Sequence, residues 1–271
     1  MNDQARAYFG TPDQQKVQRR AEDLWRLLGD HPKYSSHGRA VGLAGYDPDN
    51  LADHIALTRL QGASPLDGIP EVHRGEHLRG LEAAGLITDV YRHWEGHSAA
   101  FEAAERILKS RRLPGDLSLE EVTPETTDAD LGALDTLTQS CGVLLPMAAF
   151  LRGEYRPSLC LFARDAQGAI VAASAAVGHF HPDHSVRGKM MWWGMLSTSE
   201  DRRGEGISLV LGAQVLWDMR ERFGFDACFT GIREGNAPSE AVCSRMGLVP
   251  TDMLDVIAID PEAVTDGMLT K

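Results

Sequence analysis

The chain has 271 residues, 43% of them hydrophobic and 24% charged, with a formal net charge of −12. That length can bury one large core or two modest ones, and that composition excludes disordered and fibrous classes. The acidity is uneven: residues 1–112 hold 15 Lys and Arg against 16 Asp and Glu, whereas residues 113–271 hold 12 against 23. Such a field disfavours nucleic acid as a partner, and it fits either attraction of small cations or simple solubility.

The opening Met1-Asn2-Asp3-Gln4-Ala5-Arg6 is polar, without a basic segment leading into an apolar one, and no later run is long enough to span a bilayer. A cytoplasmic location without a membrane partner is therefore expected. Cys141, Cys160, Cys228 and Cys243 are widely spaced, with no CxxC pair, which points to reduced thiols.

In chain order, helices are predicted over residues 14–28, 75–84 and 98–110, separated by polar stretches containing Gly and Pro. Leu113-Pro114-Gly115-Asp116 then marks a boundary, dividing the chain into a mostly helical accessory domain, 1–114, and a second domain, 115–271. Residues 117–122 alternate like a strand, and Thr126-Thr127-Asp128 caps a helix over 129–140. Two apolar runs, 159–162 and 169–177, flank Arg164-Asp165-Ala166-Gln167-Gly168 as a hairpin.

After the polar turn Gly178-His179-Phe180-His181-Pro182-Asp183-His184, the run Met190-Met191-Trp192-Trp193-Gly194-Met195-Leu196 reads as a strand buried on both faces. Ile207, Leu211, Val215 and Met219 recur every four residues, with Val210 and Leu216 beside them, as in an amphipathic helix closed by Gly224. A strand over 225–232, a short helix over 238–246 and a strand over 253–259 complete the order β-α-β-β-β-α-β-α-β, a mixed α/β layer.

Chemistry concentrates at Arg203-Gly204-Glu205-Gly206-Ile207-Ser208, where a strand passes through a glycine turn into a helix. Backbone N–H groups and the positive end of the helix dipole converge there, which suits a pyrophosphate. Gly204 and Gly206 let the anion approach the backbone, Arg203 adds charge and Ser208 a hydroxyl. Arg39-Ala40-Val41-Gly42-Leu43-Ala44 fits a similar pattern, but Gly45-Tyr46-Asp47-Pro48 cannot continue a helix, so that copy reads as a chance match. No parallel Rossmann pattern or GxxxxGK[ST] loop supports a nucleotide-binding alternative.

Arg203, Gly206 and Ser208, followed in register by Asn236, Ser239, Cys243, Gly247 and Leu248, resemble the two motifs of the GNAT superfamily of N-acetyltransferases over about residues 117–260. The resemblance implies a mixed, mostly antiparallel α/β (α+β) sheet splayed between its fourth and fifth strands. Acetyl-CoA would then be held by Leu196, Ser197, Thr198, Arg203, Gly204, Glu205, Gly206, Ile207, Ser208, Asn236, Ser239 and Cys243. It also implies direct transfer of the acetyl group to an amine, with the oxyanion at the Leu196 backbone N–H. Cys243 stands where many members carry a Tyr acid, and Trp192 where some carry a Glu base. Cys243 and Glu234 are the candidates for acid and base, and His179, His181 and His184 read as bases or as a solvated turn, with no metal site.

Phe180, Trp192, Trp193, Met190, Met191 and Met195 read as core or as an acceptor pocket, with Trp192 and Trp193 on opposite faces so that one at most addresses any one pocket. A small-molecule amine, mildly favoured as a cation, is the expected acceptor. A protein or peptide amine and a non-catalytic acyl-CoA-binding module are the alternatives. Residues 1–112 are expected to cover the acceptor side or to mediate a homodimer. Leu81 to Tyr91 echoes Cys243 to Leu248 and the strand beyond, which reads either as a degenerate second copy or as a generic helix ended by Gly and followed by a strand.

Overall fold

The computed structural model describes residues 8–265 and residue 269, so the polar opening Met1 to Arg6 lies outside the described residues. The Thr11 side chain accepts from the Gln14 backbone N–H while the Gln14 side chain accepts from that of Thr11, and this reciprocal cap starts α1 (Pro12–Leu28). The first part continues with β1 (Tyr34–Ser35), β2 (Gly42–Leu43), α2 (Leu51–Gln61), β3 (Ala63–Pro70), α3 (Arg74–Ala83), β4 (Ile87–Gly96) and α4 (Ser98–Ser110). The second part holds β5 (Ser118–Glu121), α5 (Asp128–Ser140), α6 (Ala148–Leu151), β6 (Ser158–Arg164), β7 (Ile170–Val177) and β8 (Met190–Thr198). It ends with α7 (Ile207–Phe223), β9 (Ala227–Ile232), α8 (Ala237–Arg245) and β10 (Val249–Ile259).

The predicted order stands in the second part, with the short α6 added. Beyond its predicted helices, the first part carries α2 and four strands. Helix α2 escapes a periodicity reading because its buried face includes His54, Thr58 and Gln61. Strand β3, Ala-Ser-Pro-Leu-Asp-Gly-Ile-Pro, has the composition of a turn yet is buried over nearly its whole length.

All ten strands join one sheet in the order β1-β2-β3-β10-β4-β9-β8-β7-β6-β5. The punctuation at residues 113–116 falls in the coil between α4 and β5, and the sheet runs through both parts. Its centre has a near-twofold pattern: β2 pairs β3 in parallel as β8 pairs β9, and β10 pairs antiparallel with β3 as β4 does with β9. Each part thus lends its last strand to the other, and β4 and β10 meet in a long antiparallel seam.

The helices that feed the exchanged strands end alike. Leu86 N–H bonds to Leu81 O and Leu248 N–H to Cys243 O, each across a glycine at positive φ, Gly85 (73°) and Gly247 (77°). The echo between these stretches is a shared helix-glycine-strand ending. On one face of the second part's strands, α1, α5 and α6 pack with Trp25, Leu131, Phe150, Phe162 and Trp192. On the other, α4 and α7 pack with Phe101, Trp193, Leu211, Leu216 and Met219.

Candidate active site

Strands β8 and β9 pair only where Met190, Met191 and Trp192 face Ala227, Cys228 and Phe229, after which they part. Both edges beyond that point lack a strand neighbour, and a cleft opens between them. On its other side β8 pairs Gly194 with Ala175 and Ser197 with Ala173, so Met195 and Leu196 together oppose Ser174. This is a β-bulge, and Met195 sits in it at φ 58°, the only non-glycine residue with positive φ among the described residues. The strain lies next to Leu196, which lines the cleft.

At the far end of β8, a cavity of about 400 Å³ is lined by Thr198, Arg203, Gly204, Gly206, Ile207 and Ser208 from the loop and the start of α7. Gly206 caps α7 at φ 78° with no side chain capping the helix, so the first-turn N–H groups remain available to an anion. Four arginines line this cavity: Arg202, which Glu205 and Asp116 hold, Arg203 beside it in the loop, Arg111 after α4, and Arg245 at the end of α8. Arg111 and Arg245 carry no sequence motif and went unread. Ser208 Oγ is hydrogen-bonded to Thr198 Oγ1. Glu205 does not line the cavity, because its carboxylate forks onto Arg202, which also holds Asp116. The backbone of the loop, not the Glu205 side chain, faces the anion site.

A second cavity, of about 480 Å³, lies further back along β8, lined by Leu196 and Cys243 where Thr198 and Val242 line the first. Leu196, Asn236, Ser239 and Cys243 line its near side, and His37, Arg39, Asp67, Tyr91 and Asp255 its far side. The first part of the chain thus builds the wall opposite the cleft. Trp192 and Trp193 pack into opposite cores, as the strand alternation requires, yet both line this cavity. The expectation that one at most could do so is corrected, because the gap between the diverging strands opens to both faces of the sheet. Met195 lines it too, whereas Met190, Met191 and Phe180 are buried core.

The far wall is a buried polar network. Asp67 accepts from Ser35 Oγ at 3.0 Å, and its Oδ2 lies 2.7 Å from His179 Nε2. Burial penalises its carboxylate, but His179 and Arg187 outweigh that and lower its pKa. His93 lies between Asp255 (2.6 Å) and Glu95 (3.1 Å), and Asp255 also accepts from the Gly68 N–H. Against the cost of burial, these carboxylates push the His93 imidazole up to about 9, so it is a cation at neutral pH. His37 stacks on Trp192 with ring centroids 4.7 Å apart, and burial, with Arg39 and His179 nearby, drives its pKa well down.

The remaining sequence candidates separate. Cys243 is buried and faces the cavity, and burial pushes its thiol up to about 12. Asn236 caps α8, its side chain accepting from the Ser239 N–H. Glu234 is exposed at the rim of the same cavity. Ser197 is buried and lines neither cavity. Of the histidines in the turn after β7, His179 is fully buried in the network and is no solvated residue, while His181 and His184 bond within their own loop. Among the described residues, no three His, Cys, Asp or Glu side chains are grouped to hold a metal ion, and no helix is long and apolar enough to cross a membrane. All four cysteines are free thiols.

The fold is shared with solved structures. A GCN5-related N-acetyltransferase from Kribbella flavida is 12% identical, with 94% of this chain and 98% of that one covered at a TM-score of 0.54. The chain has the GNAT fold. A Drosophila protein superposes over 92% of this chain and 89% of its own at 15% identity and a TM-score of 0.54. A tandem GNAT protein from the clavulanic acid biosynthesis pathway is 15% identical over 77% of this chain and 67% of its own, at a TM-score of 0.50. No protein-family model and no curated protein sequence matches.

Proposed function

We propose that the chain is an acetyl-CoA-dependent N-acetyltransferase acting on a primary amine of a small molecule. The observation that carries this reading is the placement of two cavities along β8: a cationic helix-start cradle at Thr198 and, past the bulge at Leu196, a pocket of about 480 Å³. The cradle fits a pyrophosphate, and the pocket's size is that of a small-molecule site. Arg111, Arg203 and Arg245 would hold the phosphates with the N–H groups of the first turn of α7, and the unpaired edge of β8 would receive the pantetheine arm as an added strand. Acetyl-CoA, when bound, supplies a thioester carbonyl open to attack by an amine.

The Leu196 N–H, beside the bulge, is the donor for charge developing on the carbonyl oxygen. Cys243 is not assigned as the acid: a thiol at about 12 gives up its proton less readily than the departing thiolate, whose ordinary value is about 8.5, takes one. The leaving group departs as thiolate. Glu234, at the rim, passes the amine's proton to solvent. Thermal melting with saturating acetyl-CoA, together with thiol release over a panel of small amines, tests the reading. Stabilisation with turnover is expected. Stabilisation without thiol release on any amine would favour a non-catalytic acyl-CoA-binding module, and no stabilisation at all would overturn both.

A further inference from the structure

The cavity is lined by a buried arginine, Arg39, that makes no ion pair among the described residues. Arg39 is only 7% exposed, and its Nε donates to Leu144 O at 2.6 Å, which fixes the guanidinium plane. The group lies 4.9 Å from the Trp192 ring centroid, and its Nη2, shut off from solvent, has no hydrogen-bond partner among the described residues. A buried charged donor left unmade is costly, and the two buried carboxylates that line the same cavity are committed elsewhere. Asp67 is held by Ser35 and His179, and Asp255 by Gly68 and His93. Burial lowers the Arg39 pKa to about 10, which still leaves it charged at neutral pH.

We infer that Arg39 receives a carboxylate of the acceptor, so that the substrate is a small amino acid whose amine faces the cleft at Leu196 and whose carboxylate closes the far end of the cavity. The inference rests on the acceptor occupying this cavity, as proposed above. A carboxylate accepts in the plane that a guanidinium presents, and a monoanion matches the single unpaired charge, whereas a phosphate dianion would leave one negative charge buried without a partner. The Trp192 indole, stacked on His37 and covered by Arg39, supplies the flat apolar side of the pocket.

Calorimetry in the presence of saturating CoA, with a series of α- and ω-amino acids each paired with its carboxamide and its aminoalkyl phosphate, tests this without requiring turnover. The carboxylate is expected to bind at least tenfold more tightly than its amide, with that preference lost in Arg39→Gln and partly kept in Arg39→Lys. Equal binding of acid and amide by the unaltered protein would overturn the inference even if amines are acetylated, and a preference for the phosphates would overturn the choice of anion. Should Arg39→Gln fail to fold, the acid and amide pair on the unaltered protein decides alone. CoA binding and thiol release with neutral amines report separately on the acetyltransferase reading.

Discussion

The loop after β2 and the loop after β8 occupy corresponding places in the sheet's near-twofold pattern, and they differ in charge. Each follows a strand that pairs in parallel with its partner, contains a short 3-10 turn and leads into a helix. The second loop offers Gly204 and Gly206 at positive φ and a cavity lined by four arginines, of which Arg202 is paired with Glu205 and Asp116. The first offers Asp47, Pro48 and Asp49, with Asp53 in the helix beyond. Its strand is two residues long, and its hollow is lined by Asp47, Asp49 and Asp53 together with Arg187 and with Lys33, which pairs with Asp53 at 2.7 Å, so the carboxylates outnumber the cations there and not at the second loop. The same topology thus carries opposite charge at its two places, and local charge bears on whether an anion enters. What the first part keeps is its wall, from which His37, Arg39, Pro65 and Asp67 line the cavity used by the second.

Putting the first loop's chemistry into the second should have the largest effect. Gly206→Asp sets a carboxylate beside the pyrophosphate, and two like charges about 4 Å apart near a protein surface repel by about 4 kcal/mol, so CoA affinity is expected to fall on the order of a thousandfold. The mirror changes Asp47→Ser and Asp49→Ser should leave CoA affinity unaltered by calorimetry. If they shift it appreciably, the division of labour between the two loops is wrong.

Two buried histidines, one on the buried face of α2 and one at the β4–β10 seam, should respond to pH in opposite senses. The first, His54, bonds to Ser64 O and His77, and burial lowers it to about 4, so the unfolded chain binds the extra proton between pH 4 and 6.5. Stability then falls as pH drops through that window, by about 3 kcal/mol from this group. At the seam, His93 is raised to about 9, so its contribution is complete below pH 6.5 and is lost as pH rises towards 9. Urea unfolding from pH 4 to 9 should give a maximum close to pH 6.5. A flat profile between 4 and 6.5 would mean that the His54 site opens to water.

Smaller effects sharpen the cradle. Arg111→Ala and Arg245→Ala should each weaken CoA binding roughly tenfold at low salt and less at high salt. Glu234→Gln, at the exposed rim, should lower kcat only a few-fold with KM for CoA unchanged. A loss above a hundredfold there would make Glu234 an obligatory base and not a relay to solvent.

The glycine loop and the β8-to-α8 order were legible because each is a local requirement: a turn that needs positive φ, a helix that needs a stripe, a strand that needs an apolar run. Arg39 was legible only as part of a chance match to that loop. The match fails as a phosphate motif, yet its arginine reaches the acceptor cavity, because β2 places it beside Trp192, more than 150 residues away in the sequence. Arg111 and Arg245 were missed for the same reason, since an arginine near a helix end resembles any solvated cation until three elements bring such residues to one hollow.

The sequence by itself determined the second part's elements, the anion loop and the repeated helix-glycine-strand ending, all of which follow from backbone conformations set within a few residues. Tertiary structure alone decided that β4 and β10 change places, that the two parts share one sheet, and that the cleft closes on a buried guanidinium. These depend on which strand edges and which charges are left without partners once the chain is folded, and no stretch of sequence carries that information before the distant segments meet.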